Sequence, residues 1–226
     1  TPDFVGGYTQ LQTLIIEDES VTRPLQGLEN LRRLQELELH LPGLESWPAE
    51  VHGLTGLRRL KVQAENIRSI EQAAPQWPVL VELVLHLPQL EQLPDDFFGQ
   101  TALEKMDLKL GTLFRLPPSF SGLSALKEWQ LQAEGLPGGL PDMGQLQALE
   151  KVTLVNLSPA NWGSGMRNWE ALNELRFYNC DLSLFPIKAL SGMSLEYLGF
   201  HRCTQMDYDQ IQPGLKLQTL VIQIGR

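Results

Sequence analysis

The chain has 226 residues, of which 42% are hydrophobic, and a formal net charge of -9. That apolar content suits a buried core and argues against disorder. The acidic balance argues against nucleic acid and anionic membrane as partners, since both select basic surfaces. No apolar run approaches the roughly 18 residues of a membrane span, and no basic segment with an apolar stretch behind it opens the chain. Cys180 and Cys203 are the only cysteines; with no disulfide-rich ends, a reducing compartment is expected.

Residues 1–10 read as the back half of an incomplete N-terminal repeat. Pro2 stands nine residues before Leu11, and Val5 and Tyr8 take apolar places six and three before it. From Leu11 one frame recurs: Leu11, Leu34, Leu57, Leu80, Leu103, Leu126, Leu149, Leu172 and Leu195 follow at intervals of 23, and Leu217 after 22. A strict period of this size marks a solenoid. Residues 11–226 are therefore expected to form one domain of ten repeats, the last truncated, within a longer protein.

With the leading leucine as position 0, each unit runs Leu-x-x-Leu-x-Leu, as in Leu34/Leu37/Leu39, Leu57/Leu60/Val62, Leu126/Trp129/Leu131 and Leu195/Leu198/Phe200. Alternation over the last residues predicts a short strand, and one strand per unit predicts a parallel sheet. The back half, as in Pro94-Asp-Asp-Phe-Phe, suits a short helix or 3-10 segment after proline. Trp47, Trp77, Trp162 and Trp169 fall on apolar places and read as core filler.

The frame resembles the leucine-rich repeat family over essentially the whole chain. Its 23-residue Leu-Pro variant shows at Trp47-Pro48, Leu93-Pro94 and Leu116-Pro117, and nearly so at Phe185-Pro186. The resemblance implies an α/β solenoid: a horseshoe with one short parallel strand per repeat on the concave face and short helical or 3-10 segments on the convex face. One departure stands out. The family places Asn or Cys at position 8, where the side chain bonds the turn. This chain has Glu19, Pro42, Glu65, Pro88, Gly111, Glu134 and Leu157 there, and only Cys180 and Cys203 conform. Position 9 carries Ser20, Asn66, Gln89, Thr112, Ser158, Asp181 and Thr204, which are expected to satisfy the turn instead. The two cysteines share one position in adjacent coils, so distance does not exclude a disulfide; a pair of reduced, buried thiols is the expected state.

Positions 2, 4 and 6 must point away from the core. Position 2 alternates in sign through Glu36, Arg59, Glu82, Lys105, Glu128, Lys151 and Glu174. Such a ladder sets register and keeps the face soluble, at roughly 0.2–1 kcal/mol per cross-strand pair. His40, His86 and His201 share position 6, too far apart to share a metal, and are candidate pH-responsive contacts. Arg176 and Tyr178 adjoin Tyr197 and His201 of the next coil, with Arg202 just beyond. Tyrosine and arginine are the residues that interface hot spots favour, so these five, with His40 and His86, are the candidate partner-binding residues.

No catalytic constellation assembles. The chain has no phosphate-binding glycine loop, nucleophile elbow or His-Glu-x-x-His helix, and no cofactor or metal is expected. The expected function is a non-enzymatic, monomeric protein-protein interaction module. Cysteine-poor Leu-Pro repeats with Cys at position 8 are similar to those of plant intracellular immune receptors and, in their regularity, more to bacterial secreted effectors. The latter resemblance implies a target-recognition domain, as in type III secreted ubiquitin ligases, working in the cytoplasm or delivered by bacteria into a host cytoplasm. The alternative is an intramolecular regulatory domain that restrains an attached catalytic domain.

Overall fold

A computed structural model describes residues 5–70, 75, 77–99, 102–211 and 215–224. Pro2, part of the expected opening half-repeat, lies outside them. Ten strands form one sheet in sequence order: β1 (Thr13–Glu17), β2 (Glu36–His40), β3 (Arg59–Gln63), β4 (Glu82–Leu87), β5 (Lys105–Leu110), β6 (Glu128–Gly135), β7 (Lys151–Leu157), β8 (Glu174–Tyr178), β9 (Tyr197–His201) and β10 (Thr219–Gln223). Every pair is parallel. Thr13 faces Glu36, Glu36 faces Arg59 and Arg59 faces Glu82, so the 23-residue period is the register itself. At the last pair Tyr197 faces Thr219, which absorbs the 22-residue step.

The period-two pattern divides each strand between two environments. Leu37, Leu39, Leu60, Val62, Leu83 and Leu85 turn inward and are buried completely or nearly so, while Glu36, Glu38, Arg59 and Lys61 face out. The return path is made of 3-10 turns in most coils and of other turns in the rest, as after Pro94 and in the sixth coil; among the described residues none is an α-helix. Proline sets where several begin, at Pro48, Pro117 and Pro186, because its fixed φ and missing N–H suit a helical first turn. The tryptophans fill the space between the sheet and these turns. Trp77 and Trp169, at equivalent places four coils apart, both donate Nε1–H to a carbonyl 26 residues earlier, Val51 O (2.9 Å) and Met143 O (3.2 Å). In these two coils the side chain thus staples the coil to its predecessor.

The irregular position 8 has a structural cause. In the second to sixth coils the chain turns inward at position 7, burying Leu41, Ala64, Leu87, Leu110 and Ala133. Position 8 then sits in the turn, which is why Glu, Pro and Gly are found there. In the seventh to ninth coils position 7 is Asn156, Asn179 and Arg202, each left-handed with φ of 60°, 52° and 53°. That twist brings position 8 inward instead, burying Leu157 and Cys180 and half-burying Cys203. The backbone ladder moves with it. Glu65 N–H and Glu134 N–H reach Pro42 O and Gly111 O, from position 8 to position 8, whereas Asp181 N–H and Thr204 N–H reach Leu157 O and Cys180 O, one residue later. The change falls between β6 and β7, where Gly135 pairs with Leu157 out of register.

The expected substitutes at position 9 contribute less than the sequence predicts. Asn66 Nδ2 donates to Pro42 O at 3.3 Å, and Asp181 Oδ1 accepts from Ser183 N–H in its own turn. Ser20 donates its N–H at 2.8 Å and its hydroxyl at 2.6 Å to Asp18 Oδ1 in the first turn. A separate side-chain ladder runs one position off: Asn179 Nδ2 donates to Asn156 Oδ1, and Asn156 Nδ2 to Glu134 Oε1, both at 3.2 Å.

Candidate partner-binding surface

The outward side of the sheet is a largely polar face, with Ile15 exposed on β1, hollowed at its middle. A depression of about 340 Å³ spans β4 to β8, floored by Val84, Asp107, Gln130 and Thr153 and flanked by Glu82, Lys105, Glu128, Lys151 and Glu174. The alternating charges meet as discrete pairs. Arg59 lies 3.6 Å from Glu36 and 2.9 Å from Glu82, and Lys105 lies 3.3 Å from Glu128. Lys61 pairs with Glu38 at 3.4 Å, and Lys127 with Glu104 at 2.8 Å. The hydrogen bond to Glu82 and its charge raise the Arg59 pKa further, and Glu104 does the same for Lys127. Pairs this exposed contribute little to stability. Their effect is to neutralise much of the face's charge internally.

Among the described residues the ion-paired ladder stops at Glu128, since Lys151 pairs with neither Glu128 nor Glu174. Glu174 turns within its own strand toward Arg176, whose Nε lies 3.0 Å from Glu174 Oε1; the contact is an ion pair without hydrogen-bond alignment, and among the described residues that buried Nε–H has no hydrogen-bond acceptor. The guanidinium of Arg176 lies over the Tyr197 ring, 4.5 Å from its centroid. Such cation–π contacts contribute about 0.5–2 kcal/mol depending on exposure. Alongside, the Tyr178 and His201 rings stack at 4.4 Å with 9° between their planes. His201 Nδ1 meets Gln223 Oε1 at 3.2 Å. Its Nε2 is buried and has no hydrogen-bond partner among the described residues.

Gly199 lies at the centre of the group, facing Arg176 across the β8–β9 ladder. A Cβ there would sit 2.9 Å from Tyr197 Cε1 and 3.1 Å from His201 Nε2. The missing side chain is what lets the two rings fold down over the strand and cover it. The sequence pattern did not single out this residue, although glycine inside a strand signals close approach of another group. Gln223, which meets His201, was equally unmarked, and Glu174, which pairs with Arg176, stood out only as a rung of the charge ladder.

Four of the seven expected residues thus form one cluster: Arg176, Tyr178, Tyr197 and His201. Arg202 stands beyond the strand in the left-handed turn, exposed; its N–H donates to Gln223 O, and its guanidinium makes no bond among the described residues. His40 and His86 are elsewhere. His40 is exposed on β2. His86 is half-buried in a lateral chain, with Gln63 Nε2 2.9 Å from Nδ1 and Asp107 Oδ2 3.2 Å from Nε2. Among the described residues no group of three or more His, Cys, Asp or Glu is placed to hold a metal ion, and no helix is long and apolar enough to cross a membrane.

No protein-family model matches the chain, and no curated protein matches it in sequence. Among solved structures it is similar to the leucine-rich-repeat ectodomain of the plant membrane receptor kinase GASSHO1/SCHENGEN3 from Arabidopsis thaliana, in complex with CASPARIAN STRIP INTEGRITY FACTOR 2. The TM-score is 0.52 at 18% identity, covering 100% of this chain and 32% of that one. The likeness is one of fold, and this chain spans 32% of that ectodomain's length. Ten parallel strands in one open sheet, backed by 3-10 turns, make the fold a leucine-rich-repeat solenoid.

Proposed function

We propose that this chain is a non-enzymatic protein-binding module that recognises its partner through the open face of the sheet, with the eighth and ninth coils as the anchor. The observation that carries this reading is the preassembled cluster over Gly199. Its aromatic and guanidinium groups are held before any contact, so little ordering is left to do on binding, and tyrosine and arginine are residues on which binding energy concentrates. The self-neutralised ladder of the earlier coils supplies fit and solubility more than attraction. A monomer suits the reading, since a single chain exposes the whole face.

The very regular 23-residue Leu-Pro frame supports a finer version: the target-recognition part of a larger protein of the bacterial secreted-effector kind, acting in a reducing cytoplasm on a host protein. The test uses the native chain and its Tyr178→Ala/Tyr197→Ala double variant, each as bait and each as a titrant against the captured protein. Loss of capture by the double variant, with an unchanged melting curve, supports the anchor. Equal affinity for both baits overturns it. If deleting these repeats from the longer protein raises the activity of an attached domain and no external protein is captured, the module acts within its own polypeptide.

A further inference from the structure

Cys180 and Cys203 occupy the same position in adjacent coils. The left-handed residues before them, Asn179 and Arg202, rotate both side chains toward the interior. Thr204 N–H donates to Cys180 O at 2.9 Å, and Asp181 bridges to Thr204 in parallel, so the backbones are tied together at this level. Neighbouring strands run about 4.8 Å apart, inside the roughly 4.4–6.8 Å between α-carbons that disulfides span. Both thiols are free. Their surroundings differ. Cys180 is fully buried, with Sγ 3.4 Å from both Leu154 O and Tyr178 O. Cys203 is half-buried, with Sγ 3.7 Å from His201 O.

We propose that the pair is a hydroperoxide-reactive two-thiol site in which Cys203 is oxidised first and Cys180 resolves it, closing a reversible disulfide between the eighth and ninth coils. The order of events follows from access and acidity together. The hydrogen bond donated by Cys180 lowers the Cys203 thiol to about 7 against the opposing effect of burial, while that bond and burial push Cys180 far up. Cys203 therefore supplies the thiolate, which is the nucleophilic form. Cys180 keeps its proton, with Leu154 O, Tyr178 O and the Cys203 sulfur as competing acceptors.

In the first step the Cys203 thiolate attacks one oxygen of hydrogen peroxide. The S–O bond forms, the O–O bond breaks, and the departing hydroxide takes a proton to leave as water, giving a sulfenic acid. In the second, Cys180 sulfur attacks the sulfenic sulfur. The S–S bond forms, the S–O bond breaks, and the leaving hydroxyl departs with the Cys180 proton as a second water. Two thiols have lost two electrons and one peroxide has gained them. A dithiol reductant reverses the result by exchange.

The link lies directly behind the proposed anchor, because Cys180 and Cys203 each follow a member of the Tyr178–His201 stack by two residues. Closing it would hold the two coils, and the stack they carry, in one relative position.

The reduced native chain is treated with equimolar hydrogen peroxide, quenched, denatured without reductant and weighed by mass spectrometry. The expected product has lost two hydrogen atoms, yields a peptide joining Cys180 to Cys203, and regains both hydrogens with dithiothreitol. Cys203→Ser should consume peroxide about tenfold more slowly, as only a protonated, buried thiol remains. Cys180→Ala should accumulate a sulfenic acid that dimedone traps. Addition of oxygen to the native chain without loss of hydrogen would overturn the proposal. So would a Cys203→Ser chain that consumes peroxide as fast as the native one. The native mass shift decides the matter even if a variant fails to fold.

Discussion

Gly199 shows how much one absent side chain decides. Gly199→Ala places a methyl group against the tips of Tyr197 and His201, at 2.9 and 3.1 Å. Both are free ends of rotatable side chains, so the strand survives and the rings move. The expected outcome is less than about 1 kcal/mol of lost stability but clearly weaker partner binding, measured by denaturant unfolding and titration calorimetry. Cys203 gives a second residue-level test. Its thiol is lowered to about 7, first by the hydrogen bond from Cys180. Iodoacetamide labelling of Cys203 should therefore rise through pH 7 and fall away below it, as the thiolate is protonated. His201, Arg202 and Tyr208 lie close by, the Tyr208 hydroxyl itself being pushed up by burial and by the Cys203 charge. Removing the donor with Cys180→Ala should move the labelling midpoint up toward the ordinary thiol value of about 8.5.

Among elements, the strand exit separates what the sequence displays from what it hides. The strand bodies are legible because alternation maps onto burial: Leu37 in and Glu38 out need nothing beyond the pleat. The cluster was half legible for the same reason, since Arg176, Tyr178, Tyr197 and His201 all occupy outward places on neighbouring strands. Gly199 and the bonds from Glu174 and Gln223 were not, because they depend on which rotamer each side chain adopts. The exit was hidden too. A left-handed residue at position 7 is not announced by its type when the series includes arginine at 202. Asn156 and Asn179 were clues, as asparagine tolerates that conformation. Asn179→Ala should cost about 1–2 kcal/mol in urea unfolding, because alanine pays for the left-handed geometry and the bond to Asn156 is lost. Asn66→Ala, where the twist is absent, should cost less.

At the level of the whole molecule, stability is a sum over neighbouring coils. Each strand pairs with the strand before and the strand after, and few contacts reach further, as Trp47 does to Phe97 two coils on, so the solenoid behaves nearly as a linear array of coupled units. Leu85→Ala, at a fully buried place in the fourth coil, should cost about 2–5 kcal/mol. Its effect on amide exchange should be largest in β3, β4 and β5 and fade with distance along the stack. Arg59 and the other ladder cations should respond differently. Since their pairs are exposed, adding salt should change the melting temperature little, while altering the association rate with any charged partner.

The one-residue slip between β6 and β7 divides this array into a stretch of six coils and a stretch of four, joined where hydrogen bonding is least regular. The joint is well paired, over six positions, but its change of register limits cooperativity across it, so the two stretches behave as separate groups. Under rising denaturant, amides of the last coils should lose protection as a group before those of β2 to β5. The two free-thiol coils and the tyrosine cluster would then open together as one cooperative block.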